Sequence, residues 1–176
     1  MIDTLISSKT RIKLLLKFFL NSNNKAYLRN LEEEFGESTN AIRIELNRFE
    51  QAGMLTSLSE GNKKVFSANT RHPLFGDIRS IVMKYVGIDQ IVEYVIKRLG
   101  HLEEVYLVGE FARGLSGDII DLVFVGNINQ HFLAELVEKV EKRINRRIRY
   151  IVFDAKSFSV EKIRDNRAEP LLLWSR

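Results

Sequence analysis

The chain has 176 residues, of which 45% are hydrophobic and 28% charged, so it is long enough to bury the core of one domain or of two small ones. It contains no cysteine, which excludes disulfides, thiolate metal ligands and a cysteine nucleophile. No apolar run approaches the roughly 18 residues of a membrane span, and the basic N-terminal segment lacks the small-residue cleavage site of a secretory signal. We therefore expect a cytoplasmic protein without membrane partners.

The net charge of +4 is unevenly distributed along the chain. Residues 1–76 contain 11 Lys and Arg against 8 Asp and Glu, whereas residues 77–176 contain 16 against 15. A basic surplus confined to one part of a chain favours a polyanionic partner for that part. The first part is therefore the better candidate for nucleic-acid binding.

Hydrophobic periodicity predicts three helices and then a β-hairpin in the first part. The predicted helices cover residues 9–20, 27–35 and 38–53, and the strands cover 55–59 and 64–68. Ser38 is the expected N-cap of the third helix, and Gly36 and Gly53 end the second and third helices. The turn between the strands contains Gly61 and Asn62. Three helices followed by a hairpin is the order of a winged helix-turn-helix.

Pro73 follows a polar stretch and predicts a joint between domains. After it we expect helices over 74–86, 89–99 and 130–144 and strands over 104–108, 119–125 and 148–153. The predicted fold class is α+β. The predicted divisions are a winged-helix domain at 1–72, a helical connector at 73–100 that forms dimer helices or covers the sheet, and a small mixed α/β domain at 101–176.

The third helix carries the side chains best suited to read DNA. Apolar residues at 42, 46 and 49 define its core face, so the opposite face carries Thr39, Asn40, Arg43 and Asn47. Arg can bind guanine and Asn can bind adenine through paired hydrogen bonds, and a helix N-terminus favours phosphate. Lys63 and Lys64 at the hairpin are expected to contact the sugar-phosphate backbone. The predicted partner is double-stranded DNA.

Acidic residues nearby support an alternative. Glu32, Glu33 and Glu34 on the second helix and Glu45 on the third would weaken a positive field. The polar face would then be an ordinary solvated surface of a module that contacts proteins. Salt-dependent retention on DNA separates the two alternatives.

This part of the chain resembles the winged-helix domains of ArsR-like bacterial transcription regulators. The resemblance rests on STNAIR at 38–43 and LNRFEQAGML at 46–55, and it extends over roughly residues 8–75. It implies a regulator that binds two DNA half-sites as a homodimer. Founding members sense metals through cysteine-rich sites, so this chain, which lacks cysteine, is not expected to sense metals by that route.

The later segments VGEFARG at 108–114 and DIIDLVFV at 118–125 resemble the minimal nucleotidyltransferase fold. In that family a Gly-Ser turn presents backbone donors to phosphate, and two carboxylates two residues apart on a strand hold divalent metals. Here the Ser position holds Glu110, the first Asp position holds Ile119, and the position of the third carboxylate holds Arg149. Asp118 lies three residues before Asp121 and would need a β-bulge to share its face.

The resemblance therefore implies a relic nucleotide site without a catalytic residue, a metal or a cofactor. The residues of this relic site are Gly109, Glu110, Arg113, Gly114 and Asp121. A single carboxylate holds Mg²⁺ poorly, since that ion needs several oxygen anchors. We expect a DNA-binding transcriptional regulator whose second domain has a structural, dimerisation or sensing role. The alternatives are an active nucleotidyltransferase that uses NTP and Mg²⁺ to modify a protein or small molecule, and an adaptor that senses a nucleotide effector or binds proteins.

Overall fold

The computed structural model describes residues 2–176, which form two compact units, the first ending at Val82 and the second covering Met83–Arg176. Met1, the first residue of the predicted domain 1–72, lies outside the described residues. The first unit combines helices with a three-stranded antiparallel sheet, and the second combines helices with a mixed four-stranded sheet. The predicted α+β class is therefore confirmed.

The first unit begins with short helices and ends inside a longer one. Its elements are α1 (Ile2–Leu5), α2 (Lys9–Leu15), a π-helical continuation (Leu16–Leu20), β1 (Lys25–Tyr27), α3 (Leu28–Phe35), α4 (Thr39–Gln51), β2 (Leu55–Glu60), β3 (Lys63–Ala68) and the first part of α5 (Phe75–Val86). The boundary between the units falls within α5, after Val82, which is nine residues beyond Pro73.

Helix α4 forms where the sequence predicts it. The Ser38 hydroxyl accepts the backbone N–H of Ala41 at 3.3 Å, which satisfies one of the free donors at the helix start. The predicted core face is confirmed, because Ile42, Leu46 and Phe49 are all buried.

One prediction for this unit is wrong. Tyr27 was expected at the start of the second helix, but it is the last residue of β1 and pairs with Val65 of β3. The sheet order is β1-β3-β2, with the β2–β3 hairpin closing at Glu60 and Lys63. A three-residue strand is too short to show the alternation that identifies strands in a sequence.

The second unit consists of a sheet, two main helices and a long C-terminal segment. Its further elements are α6 (Ile88–Tyr94), a 3₁₀ turn (Ile96–Arg98), β4 (Leu102–Val108), α7 (Gly109–Ala112), β5 (Ile119–Gly126), α8 (Gln130–Ile144), β6 (Arg147–Phe153), a second 3₁₀ turn (Val160–Ile163) and β7 (Leu171–Ser175). The strand order is β6-β5-β4-β7, and only the β5–β6 pair of this sheet is parallel. Helix α8 provides the crossover that a parallel pair requires. Within residues 2–176, no helix combines the length and the apolar character that crossing a bilayer requires.

Strand β5 lies at the centre of this unit's core. Residues 120–125 are buried except for Asp121, which is half-buried. On one face Val123 and Val125 pack with Tyr106 of β4, and the C-terminal segment covers them with Phe158 and Ile163. Because both faces of β5 are buried, the strand reads as a continuous apolar run interrupted by one carboxylate.

We expect Ile42→Ala to lower the free energy of unfolding by about 2–5 kcal/mol, because this fully buried side chain would leave a cavity beneath α4. Ile44→Ala is the matched control on the same helix, and its 42% exposed side chain should lose about 1 kcal/mol or less. Urea denaturation followed by circular dichroism measures both. Equal losses would contradict the assignment of Ile42 to the core face.

Candidate functional site

A groove of about 550 Å³ lies between helices α3 and α4 and the β2–β3 hairpin. Five of the six predicted DNA contacts line it, namely Thr39, Arg43, Asn47, Lys63 and Lys64. The start of α3 and the hairpin turn supply further polar lining residues that the sequence analysis missed, namely Tyr27, Arg29, Asn30 and Asn62. The sixth predicted contact, Asn40, is exposed on α4 but does not line the groove.

Arg43 and Asn47 form the free polar surface of α4 in this groove. They lie one helical turn apart, and both side chains are exposed. Among the described residues, neither has a hydrogen-bond or ion-pair partner. Thr39 differs, because its hydroxyl donates to the Glu32 carboxylate at 2.6 Å and so ties the start of α4 to α3. Arg43 and Asn47 are therefore the two α4 side chains in the groove that can bind a ligand without first losing an internal contact.

The two lysines of the hairpin differ in whether they form an ion pair. Lys64 Nζ lies 2.7 Å from Glu50 Oε2, and the Ser57 hydroxyl donates to the same carboxylate. The hydrogen bonds from Lys64 and Ser57 lower the pKa of Glu50. Lys63 Nζ has no ion-pair partner among the described residues and lies 5.7 Å from the centre of the Tyr27 ring. Among the described residues, Lys63 is therefore not in an ion pair, whereas Lys64 is paired with Glu50.

Most of the acidic residues expected to weaken the field do not face the groove. Glu45 is 6% exposed and lies on the other side of α4, between Arg11 at 2.9 Å and Arg48 at 2.9 Å. Burial raises the pKa of Glu45, but the hydrogen bond and charge of Arg11 and the charge of Arg48 outweigh burial, so this pKa is lowered overall. Glu34 pairs with the buried Lys17 at 2.6 Å. Of these acidic residues, only Glu32 lines the groove.

The turn at Gly109, which was predicted to belong to a relic nucleotide site, packs directly on Asp121. Gly109 has φ +68° and begins α7, immediately after β4. A Cβ atom built at Gly109 would overlap the Asp121 carboxylate, so only glycine fits this close approach. Asp121 faces Arg149 across the parallel β5–β6 pair, with Arg149 Nε 2.5 Å from Asp121 Oδ1. This hydrogen bond raises the pKa of Arg149. A guanidinium group therefore neutralises the carboxylate at the position where the resemblance puts another carboxylate.

Asp118 does not join Asp121. The pairing of β5 with β6 runs without a register shift from Ile119 to Val125, so the bulge that would realign Asp118 is absent from these strands. Asp118 instead lines a separate open cavity with Glu138 and Lys142. Among the described residues, no group of three His, Cys, Asp or Glu side chains could hold a metal ion.

The small cavity beside Gly109 measures about 10 Å³ and is also lined by residues of the C-terminal segment, including Ile163 and Pro170. Small-molecule sites typically measure about 300–1,000 Å³, so this cavity by itself does not hold a nucleotide. Of the other relic-site residues, Glu110 is exposed and Gly114 is buried, while Arg113 is half-buried with its Nε unpaired among the described residues.

A second concentration of positive charge lies at the C-terminal end of α8 and just beyond it, but internal contacts occupy most of these side chains. Arg143 lies 4.0 Å from the centre of the Tyr94 ring, and Arg146 lies 5.3 Å from that of Phe111. Lys142 pairs with Glu138 at 2.7 Å. These side chains stabilise the second unit, so the groove of the first unit is the stronger candidate for a polyanion site.

Comparison with known proteins gives weak matches. No protein-family model matches the chain, and the search of curated proteins gave no match. Among solved structures, AF1382 from Archaeoglobus fulgidus is 18% identical with a TM-score of 0.38, over 47% of this chain and 93% of that chain. A provisionally assigned nucleotidyltransferase from Sulfolobus solfataricus is 28% identical with a TM-score of 0.36, over 56% of this chain and 86% of that chain. Both TM-scores are below 0.5, so the fold is defined by the strands and helices described above.

We expect Arg149→Asp to create a divalent-metal response that the wild-type chain lacks. The variant would bring two carboxylates together across β5–β6, and their repulsion should lower the melting temperature until Mn²⁺ neutralises it. Thermal denaturation with and without Mn²⁺ measures the effect.

The double variant Arg149→Asp/Asp121→Asn is the control, because it removes the second carboxylate and should not respond to Mn²⁺. A wild-type melting temperature that rises with Mn²⁺, and no longer does so in Asp121→Asn, would show a working metal site and contradict the relic assignment.

Proposed function

We propose that this protein is a sequence-specific DNA-binding transcriptional regulator. In this proposal the first unit is a winged helix-turn-helix, α4 is its recognition helix and the β2–β3 hairpin is its wing. The observation that carries the proposal is the groove in which the free side chains of Arg43 and Asn47 lie beside the unpaired charge of Lys63. The groove combines base-reading and phosphate-binding groups on one surface.

The proposed division of labour follows from the chemistry of the three side chains. A major groove about 12 Å wide admits an α-helix, so α4 can bring Arg43 and Asn47 to the base edges. Lys63, which extends from the hairpin, would contact a backbone phosphate. Arg29 and Asn30 at the start of α3 line the same groove and are candidates for further backbone contacts.

We further propose that the second unit is a nucleotidyltransferase-like domain that does not catalyse nucleotidyl transfer. The ion pair between Asp121 and Arg149 supports this, because it uses the carboxylate that would otherwise anchor a metal. The domain would then have a structural, dimerisation or sensing role in the regulator.

The decisive experiment is selection of bound sequences from a random DNA pool by the full-length protein. We expect enrichment of one motif, and a homodimer should enrich an inverted repeat with half-sites about 10 base pairs apart. Arg43→Ala should weaken binding to that motif by about 1–3 kcal/mol and relax the preference at one base position.

Arg71→Ala is the matched control, because Arg71 is exposed in the same unit but does not line the groove. An unchanged motif in Arg43→Ala would contradict the assignment of α4 as the recognition helix. If the wild-type protein shows no salt-dependent DNA binding, the proposed function itself is wrong and the protein-contact alternative is favoured.

We expect Glu50→Gln to tighten DNA binding, because it removes the carboxylate that neutralises Lys64. The expected gain is about 0.5–1 kcal/mol, with the slope of log K against log salt steeper by about one. Glu33→Gln is the control, since it removes the same charge from an exposed position of α3 outside the groove. Equal gains in both variants would indicate a general charge effect rather than release of Lys64.

A further inference from the structure

A second cavity lies against the opposite side of α4. It measures about 350 Å³, and α4 contributes Glu45, Arg48 and Phe49 to it rather than the residues that face the groove. The other apolar lining residues include Leu15 from α2, Met54, and Ile78 and Ile81 from α5. A volume of this size and an apolar lining with a few charged groups are typical of small-molecule sites.

The charged residues of this cavity favour a negatively charged ligand. Glu45 lies between Arg11 and Arg48, so the three side chains carry a net charge of +1. The Glu45 side chain is 7% exposed, whereas those of Arg11 and Arg48 are 40% and 60% exposed. The surplus charge is therefore presented by guanidinium groups. Arg48 uses only NH1 to bind Glu45, so its remaining donors can bind an incoming anion.

The apolar part of the cavity has an uncovered surface at α5. Ile81 is 53% exposed, although Val82 beside it is buried and lines the same cavity. An apolar group bound next to Ile81 would remove this surface from water. A ligand that complements the whole cavity therefore has one negative group and an apolar body.

We propose that this cavity binds a small amphiphilic monocarboxylate, with its carboxylate on Arg48 and its apolar body against Phe49 and Ile81. Because Arg48 and Phe49 lie on the same helix as Arg43 and Asn47, the ligand would also change the DNA affinity of α4. That second effect rests on the proposed function, whereas binding itself does not. The ligand would thus be an effector bound behind the recognition helix.

Calorimetry on the full chain with three eight-carbon probes tests the binding. We expect octanoate to bind with one site per chain, and at least about tenfold more tightly than octanol or octylamine, because only the carboxylate can form a charge-assisted hydrogen bond with the Arg48 guanidinium. Arg48→Gln should weaken octanoate binding by about tenfold or more, while Arg71→Gln, which removes the same charge outside the cavity, should leave it unchanged. Ile81→Glu should abolish binding by adding a negative charge beside an exposed apolar position.

Three results would overturn the proposal. The first is absence of octanoate binding, and the second is equal affinity for octanoate and octylamine. The third is a dimer, measured by ultracentrifugation, that Ile81→Glu dissociates while octanoate has no effect, since a second copy of the chain would then occupy the cavity.

The effect of octanoate on DNA affinity is measured in a separate experiment. Saturating octanoate should change the affinity of the wild type for its selected DNA motif and leave that of Arg48→Gln unchanged. If the protein binds no DNA, the proposed function is wrong, but calorimetry still shows whether the cavity binds octanoate. If DNA binding occurs and octanoate binds without changing it, the effector role is wrong.

Discussion

The buried carboxylate of Glu45 is the interaction on which the first unit's surfaces depend. It joins α4 to α2 through Arg11 and to the next helical turn through Arg48. A buried carboxylate is stable only when it is paired and hydrogen-bonded, so α4 cannot rotate without breaking this network. Together with the buried apolar face of Ile42, Leu46 and Phe49, these contacts hold α4 with one side towards the groove and another towards the cavity behind it.

The second unit has a comparable ion pair with a different consequence. Asp121 and Arg149 are neighbours on parallel strands, and together they carry no net charge. Gly109 packs on the same carboxylate, and Ile163 and Pro170 of the C-terminal segment line the small cavity beside this glycine. The Asp121 carboxylate is therefore both neutralised by Arg149 and in close contact with the turn.

The features that could be predicted from the sequence are those that depend on residues close together in the chain. The apolar positions of α4 follow from helical periodicity, and the cap at Ser38 follows from a residue type that is common before helices. Alignment with the family pattern indicated that Arg149 holds the position of a carboxylate, but the ion pair of Arg149 with Asp121 was not predicted. Strand β1 was missed because three residues carry no period, and its pairing with β3 is a long-range contact. The partners of Glu45 and Glu50 were also beyond reach, since Arg11 and Lys64 are distant in sequence and only the folded chain brings them together.

Comparison of the two arginine–carboxylate sites explains why one is a candidate binding site and the other is not. In the second unit, one arginine neutralises one carboxylate and the adjoining space is only about 10 Å³. In the first unit, two arginines share one carboxylate beside a cavity of about 350 Å³, so positive charge and space remain together. A binding site needs both a group left unneutralised and a volume left unfilled. By that criterion the proposed small-anion site lies behind α4, and the neutralised carboxylate of Asp121 is not a comparable candidate.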